Sequence, residues 1–193
     1  MSYLTTAEFK LYKGIETADD DALIESIIGA ATKWMDRVAG RTLYTATATT
    51  RYFDAYTDVE GRTLYLDEDL ASITSITVDG DALASTEYTT VPRNEVPYFA
   101  IKIKRNSEFS WVDDNAAGDY DAEDAIEIEG RWCYFATIPD DLKHHMKRLT
   151  DYAYNQKDAG AFETTAIPAA GVIEVPQGFP VDVARWARHL RKL

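Results

Sequence analysis

The sequence predicts an α+β fold: a small helical bundle with an inserted antiparallel β-sheet and an extended C-terminal arm ending in a helix. Three observations carry this. Residues 20–43 write out one complete helix with start signal, apolar stripe and stop. Residues 46–135 then switch to β-branched and aromatic alternation. Helical periodicity returns at 138 and again after Pro180.

The elements follow in order. Thr5-Thr6-Ala7-Glu8 sets a hydroxyl three residues ahead of a glutamate, a capping-box pattern that opens a short helix ended by Gly14. Phe9 and Tyr12, three apart on it, are expected to rest on the next helix. In that long helix Leu23, Ile24, Ile27, Ile28, Ala31, Trp34, Met35 and Val38 trace one face at the helical period. Asp19, Asp20 and Asp21 stand where carboxylates cap free N–H groups, and Gly40 stands where a left-handed residue closes the last turn.

Strands are expected at 46–56, 62–67, 72–80, 87–92, 98–105 and 125–135. In AIKIKR, Ile101 and Ile103 oppose Lys102 and Lys104; in AIEIEG, Ile126 and Ile128 oppose Glu127 and Glu129. Both read as half-buried antiparallel strands with one wet face. Gly61, Asp79-Gly80 and Asn94 supply turns. Asp113–Asp124 reads as an exposed acidic loop, and Trp111, beside it in a polar stretch, can be exposed too.

Pro139, Asp140 and Asp141 begin another helix, with Leu142, Met146, Leu149 and Ala153 as its stripe. A segment of small residues and prolines, 161–180, is too long for a tight connection. After it, Val183, Trp186, Ala187 and Leu190 form one face of a last helix and basic residues the other. The organisation is one domain, 1–193: N-terminal helices to 43, a β-rich insertion 46–135, a helix 138–160, and an arm with a basic helix 161–193.

Composition narrows the function. The 193 residues suffice for a real core, and no apolar run approaches the roughly 18–20 residues of a membrane span. The N-terminus carries no secretion pattern, and a lone Cys133 rules out an intrachain disulfide, so a reducing cytosolic origin is expected. Net charge is −13, with 12 Lys/Arg against 26 Asp/Glu in residues 1–138 and 8 against 7 in 139–193. An acidic body repels nucleic acid unless a basic face is segregated, which disfavours direct DNA binding.

No chemistry assembles from the motifs. His144 and His145 are adjacent on a helix, so their side chains diverge and chelate one ion poorly. Asp113, Asn115, Gly118 and Asp124 echo a calcium loop, but Ala117 fills its fifth position and no helices clearly flank it. GxSxG, SxxK and phosphate-cradling glycine loops are missing, so neither an enzyme nor a cofactor is expected. Trp186 is singled out, because a short helix on a long tether must dock on something. It docks either back on its own domain or on another chain, with the tryptophan as anchor and arginines around it.

Taken in order, YLTTAEFKLYKGI at 3–15 and DDALIESIIGAATKWMDRVAGRTL at 20–43 resemble the head–tail connector (adaptor, or head-completion) proteins of long-tailed bacteriophages and related prophage particles. Asp20, Leu23, Ile27, Ala30, Met35, Asp36, Ala39, Gly40 and Arg41 match that family's helix pattern. TRYFDAY, LYLDEDLASITSITVDG and IPDDLKHHMKRLTDYAYNQKD look like its later segments, so the likeness covers most of 1–158.

The resemblance implies a non-enzymatic virion protein of the neck, made in the host bacterial cytoplasm. It implies a ring, usually of twelve copies, beneath the portal protein, extending the DNA channel toward a stopper or tail-completion protein. DNA would pass through without specific binding, and no membrane is involved. C-terminal segments of such proteins commonly engage the portal, which assigns Arg185, Trp186, Arg188, Leu190 and Arg191 to that interface. Asp113, Asp114, Asp119 and Asp121 are assigned to a lumen-facing acidic loop. The rivals are a tail-completion or stopper component, and a monomeric β-sheet binding module with its last helix packed on its own core.

Overall fold

The computed structural model describes residues 2–111, 123–157, 164–167, 171–174 and 180–191. The chain divides into a helical unit, residues 1–40 and 138–193, and a sheet unit, residues 41–137, inserted between the two helical stretches.

The helical unit begins with α1 (Thr6–Lys13), whose capping box forms as expected. The Glu8 N–H donates to Thr5 Oγ1 at 3.2 Å, and the Thr5 N–H donates to Glu8 Oε2 at 2.9 Å. Gly14, at φ +74°, closes the helix. Phe9 is fully buried, with its ring edge-on to Tyr154 at 5.8 Å, whereas Tyr12 stays 46% exposed. Of the expected pair, Phe9 is the buried member; its ring meets Tyr154 and, at 6.5 Å, Tyr12 itself.

Helix α2 (Asp21–Ala39) ends at Gly40 with φ +66°. Asp20 holds its N-cap position without capping it. Its carboxylate instead takes the Lys157 ammonium and the Tyr154 hydroxyl, which together hold its pKa below the ordinary value. The apolar stripe splits. Ile24, Ile28, Ala31 and Met35 are buried together with Thr32, while Leu23 is 39% exposed and Ile27, Trp34 and Val38 are half-buried. Thr32 is tolerated inside because its hydroxyl donates to the Ile28 carbonyl at 2.9 Å and accepts the Tyr3 N–H.

Helix α3 (Asp140–Asn155) buries Leu142, Met146 and Leu149, with Pro139 as N-cap and Asp140 and Asp141 in the first turn. Lys143 Nζ reaches Glu8 Oε1 at 2.7 Å. That bond, then the Thr5 backbone N–H, lowers the Glu8 pKa from 4.5 to about 2. Within the expected arm, β8 (Thr164–Ile167) and β9 (Gly171–Glu174) pair antiparallel, Thr164 opposite Glu174. The arm therefore carries a strand pair, built on the β-branched residues of TTAI and GVIE. The last helix is α4 (Val181–His189).

The sheet unit is antiparallel throughout. Its elements are β1 (Thr49–Phe53), β2 (Val59–Glu60), β3 (Thr63–Val78), β4 (Asp81–Ala82), β5 (Tyr88–Val91), β6 (Tyr98–Ile103) and β7 (Ile126–Trp132). The order is β1-β7-β3-β6-β5, with β2 and β4 also pairing with β3. The strands expected at 62–67 and 72–80 are one strand, β3. Its early residues pair with β6 and its later ones with β7, and register shifts between Tyr65 and Leu70 and on to Ser75 bend it. The run Asp67-Glu68-Asp69 breaks the apolar alternation but is held by charge. Arg51 pairs with Asp67 at 2.7 Å and Glu68 at 2.8 Å, and Arg41 pairs with Asp69 at 3.0 Å.

One face of this sheet makes the core, with Leu64, Ile76, Ile101, Ile103, Ile126 and Ile128 buried and Lys102 and Glu127 exposed. Gly130 sits where β7 passes close to β3; a Cβ there would lie 2.7 Å from Leu70 Cδ1 and closer still to the Ser72 carbonyl oxygen. Trp111 is not exposed. It is buried, and its indole N–H donates to the Arg62 carbonyl at 3.0 Å. A polar neighbourhood in sequence hid an aromatic with a satisfied polar tip.

Candidate functional site

The sequence singles out two regions, the basic C-terminal helix and the acidic loop. Asp113, Asp114, Asp119 and Asp121 lie outside the described residues, as do Asn115 and Gly118 of the calcium echo. Asp124 is described, exposed and in the left-handed region at φ 57°. Among the described residues no group of three His, Cys, Asp or Glu side chains could hold a metal ion. No described helix is long and apolar enough to cross a membrane.

Helix α4 is seated on its own unit, against α2 and α3. Val183 and Ala187 are fully buried there. Trp186 is half-buried and lies flat on His145, ring centroids 4.5 Å apart and planes at 29°. Burial lowers the His145 pKa, with a further push from His144, so the ring that meets the tryptophan favours its neutral form. Arg148 of α3 pairs with Asp182 in the first turn of α4. Arg188 and His189 occupy its last turn, the end at which a helix dipole favours cations.

This seating divides the expected interface. Trp186 and Leu190 are half-buried, while Arg185, Arg188 and Arg191 are exposed. The tryptophan expected as an anchor for another chain is engaged at home, and the outward face of α4 is an arginine face. Chemically it can take an acidic surface by charge-assisted hydrogen bonds. It contains no nucleophile, metal-ligand set or general base paired to a substrate recess.

Charge is segregated between the two units. Residues 41–137 carry 8 Lys/Arg against 19 Asp/Glu, a net of −11. In the helical unit five anions are paired internally, through Lys10–Asp21, Lys13–Asp151, Lys143–Glu8, Arg148–Asp182 and Lys157–Asp20. The sequence also gave no sign of the role of Arg41. Its guanidinium lies 3.0 Å from Asp69 with both side chains nearly buried, and stacks over the Tyr134 ring at 4.8 Å. Only the fold brings positions 41, 69 and 134 together.

No protein-family model and no curated protein matches the chain. Among solved structures, the chain is similar to one in the neck of an empty GTA (gene transfer agent) particle, computed with C6 symmetry. The TM-score is 0.51 at 18% identity, covering 97% of this chain and 89% of that one. At that identity the likeness establishes a shared fold, and it extends over nearly the whole of both chains.

Proposed function

We propose that this protein is a structural, non-enzymatic component of the neck of a phage-like particle. In this reading it is an adaptor that forms a ring, joins the portal to the tail or the next neck protein, and extends the DNA channel. The observation that carries the reading is the near full-length fold likeness to a neck chain, reached independently of the motif order that suggested head–tail connectors. The sixfold symmetry of the neighbour's particle accommodates a ring of twelve copies. An acidic sheet unit suits a conduit through which DNA must slide without sticking.

Within this reading the exposed arginines of α4 meet the portal. Replacing Arg185, Arg188 and Arg191 together by Glu leaves Val183 and Ala187 in place, so the helix keeps its seat. Binding to immobilised portal should weaken roughly ten-fold or more, as expected when several interfacial charges are reversed. Unchanged binding would remove the basic helix from the portal interface.

A second reading draws on the seating of α4 on α2 and α3: a monomeric β-sheet binding module, whose last helix simply completes its own core. A chain that neither binds the portal nor self-associates would favour it.

A further inference from the structure

Contacts within the helical unit fix the direction in which α4 runs. Tyr154 and Lys157, at and just past the end of α3, bind Asp20 at the start of α2, so α3 is antiparallel to α2. Trp186 meets His145 and Asp182 meets Arg148, so α4 is antiparallel to α3 and parallel to α2. In keeping with this, Arg191 Cγ would lie 3.9 Å from a Cβ added at Gly40, the residue that closes α2. Counting back from that contact at about 1.5 Å per residue in both helices sets Arg188 level with Arg37. It sets Arg185 level with Lys33 to within a residue.

These cations share one side of the α2–α4 pair. The buried face of α2 holds Ile24, Ile28, Ala31 and Met35, and Lys33 and Arg37 stand four apart on its opposite flank. On α4, Val183 and Ala187 are buried, and Asp182 and Trp186 turn to α3. Arg188 and Arg191, three apart, are left on the side next to α2, with Arg185 one turn earlier.

All five are exposed, and none has an ion-pair partner among the described residues. The acidic residues of the two helices nearest to them are turned elsewhere. Asp36 takes the Tyr3 hydroxyl, Asp182 takes Arg148, and Glu25 is exposed about 120° round α2 from Arg37. Helix dipoles favour cations in a last turn, which accounts for Arg37 and Arg188 but not for Lys33 or Arg185. Five like charges in a patch roughly 10–15 Å across repel one another until an anionic surface covers them.

The same side is apolar toward its other end. Leu23, Ala30 and Arg37, seven apart, follow one line along α2, and Val181 of α4 is 72% exposed. Arginine beside exposed apolar residues is the make-up of a protein interface. A phosphodiester backbone takes up the cations alone. Net charge −13 also opposes a line of one charge per about 1.7 Å more than it opposes a few carboxylates met within a screening length of about 8–10 Å.

We infer that Lys33 and Arg37 of α2 join Arg185, Arg188 and Arg191 of α4 in one composite docking surface for a carboxylate-rich protein surface that also presents apolar side chains. Its halves come from opposite ends of the chain, so it exists only while α4 is seated. Naming the portal as the partner rests on the neck reading; the composite surface does not.

The test uses the full chain and three variants: Lys33→Glu/Arg37→Glu, Arg185→Glu/Arg188→Glu, and Lys102→Glu/Arg105→Glu, which makes the same charge change in the sheet unit. Thermal melts check folding. The probes are immobilised portal protein, a synthetic helical peptide with leucines on one face and glutamates on the other, and a 20-base-pair DNA duplex. The first two variants should each bind portal and peptide roughly ten-fold more weakly than wild type, and the sheet-unit variant within about two-fold of it.

Full-strength binding by Lys33→Glu/Arg37→Glu would overturn the composite surface. An equal loss in the sheet-unit variant would do so too, by assigning the effect to net charge. So would wild type that binds neither portal nor peptide, or that binds the duplex through these residues and not the peptide. Peptide binding that needs both helices, with no binding to portal, would sink the neck reading and leave the surface standing. Portal binding untouched by either variant would do the reverse.

Discussion

Replacing Trp111 by Ala separates the folded arrangement from what the local sequence suggests. An exposed tryptophan in a polar loop would change stability by no more than about 0.5 kcal/mol. In the fold the side chain is 1% exposed and donates its indole N–H to Arg62. A buried tryptophan removes roughly 150–250 Å² from water, which at about 25 cal/mol per Å² sets an upper bound near 4–6 kcal/mol. Truncation to alanine in cores costs about 3–5 kcal/mol, and that is the expected loss. The hydrogen bond adds little, because the Arg62 carbonyl also accepts the Ile103 N–H at 3.0 Å and is not orphaned. Trp111→Phe, which keeps a ring but loses the donor, should therefore lose only about 1–2 kcal/mol. Urea titrations followed by far-ultraviolet circular dichroism measure both. A loss below about 1 kcal/mol for the alanine variant would refute the burial argument.

Two further perturbations test other parts of the fold. Removing Arg41 alone leaves Asp69 nearly buried without its cation, with an expected loss of about 3 kcal/mol; the Arg41→Met/Asp69→Leu double variant should recover most of it in the same titration, and failure to recover would deny the pairing. Glu8→Gln keeps a residue able to complete the capping box but removes the charge facing Lys143. A carboxyl lowered from 4.5 to about 2 contributes stability that is present above its unfolded pKa and is lost as pH falls through the folded one. About a third of that side chain is exposed, so solvent screening leaves about 1 kcal/mol. The wild-type advantage should thus be constant above about pH 5 and fade toward pH 2; an advantage independent of pH would assign it to packing.

The capping box at Thr5–Glu8, the glycine stops at 14 and 40, and the alternation in AIKIKR and AIEIEG were legible because each is local in sequence. What was not legible depends on distant partners. Asp67-Glu68-Asp69 looks like a strand break until Arg51 and Arg41 neutralise it, so β3 reads as two strands. Asp20 sits where a cap belongs, but Lys157 and Tyr154 compete for its oxygens. The α2 stripe is wider in sequence than in the packed helix, because periodicity marks an apolar arc without saying how much of it the neighbouring helices reach. For the candidate interface, the basic character of Arg185, Arg188 and Arg191 was readable. The engagement of Trp186 with His145 was not, since a stripe on a terminal helix does not name its partner.

The central claim is that this chain builds a layer of a phage-like neck, and electron microscopy of the protein mixed with a phage portal protein tests that most directly. The account predicts a ring-shaped layer added below the portal, with the arginine face of α4 at the junction. A portal that remains bare at high protein concentration would contradict it.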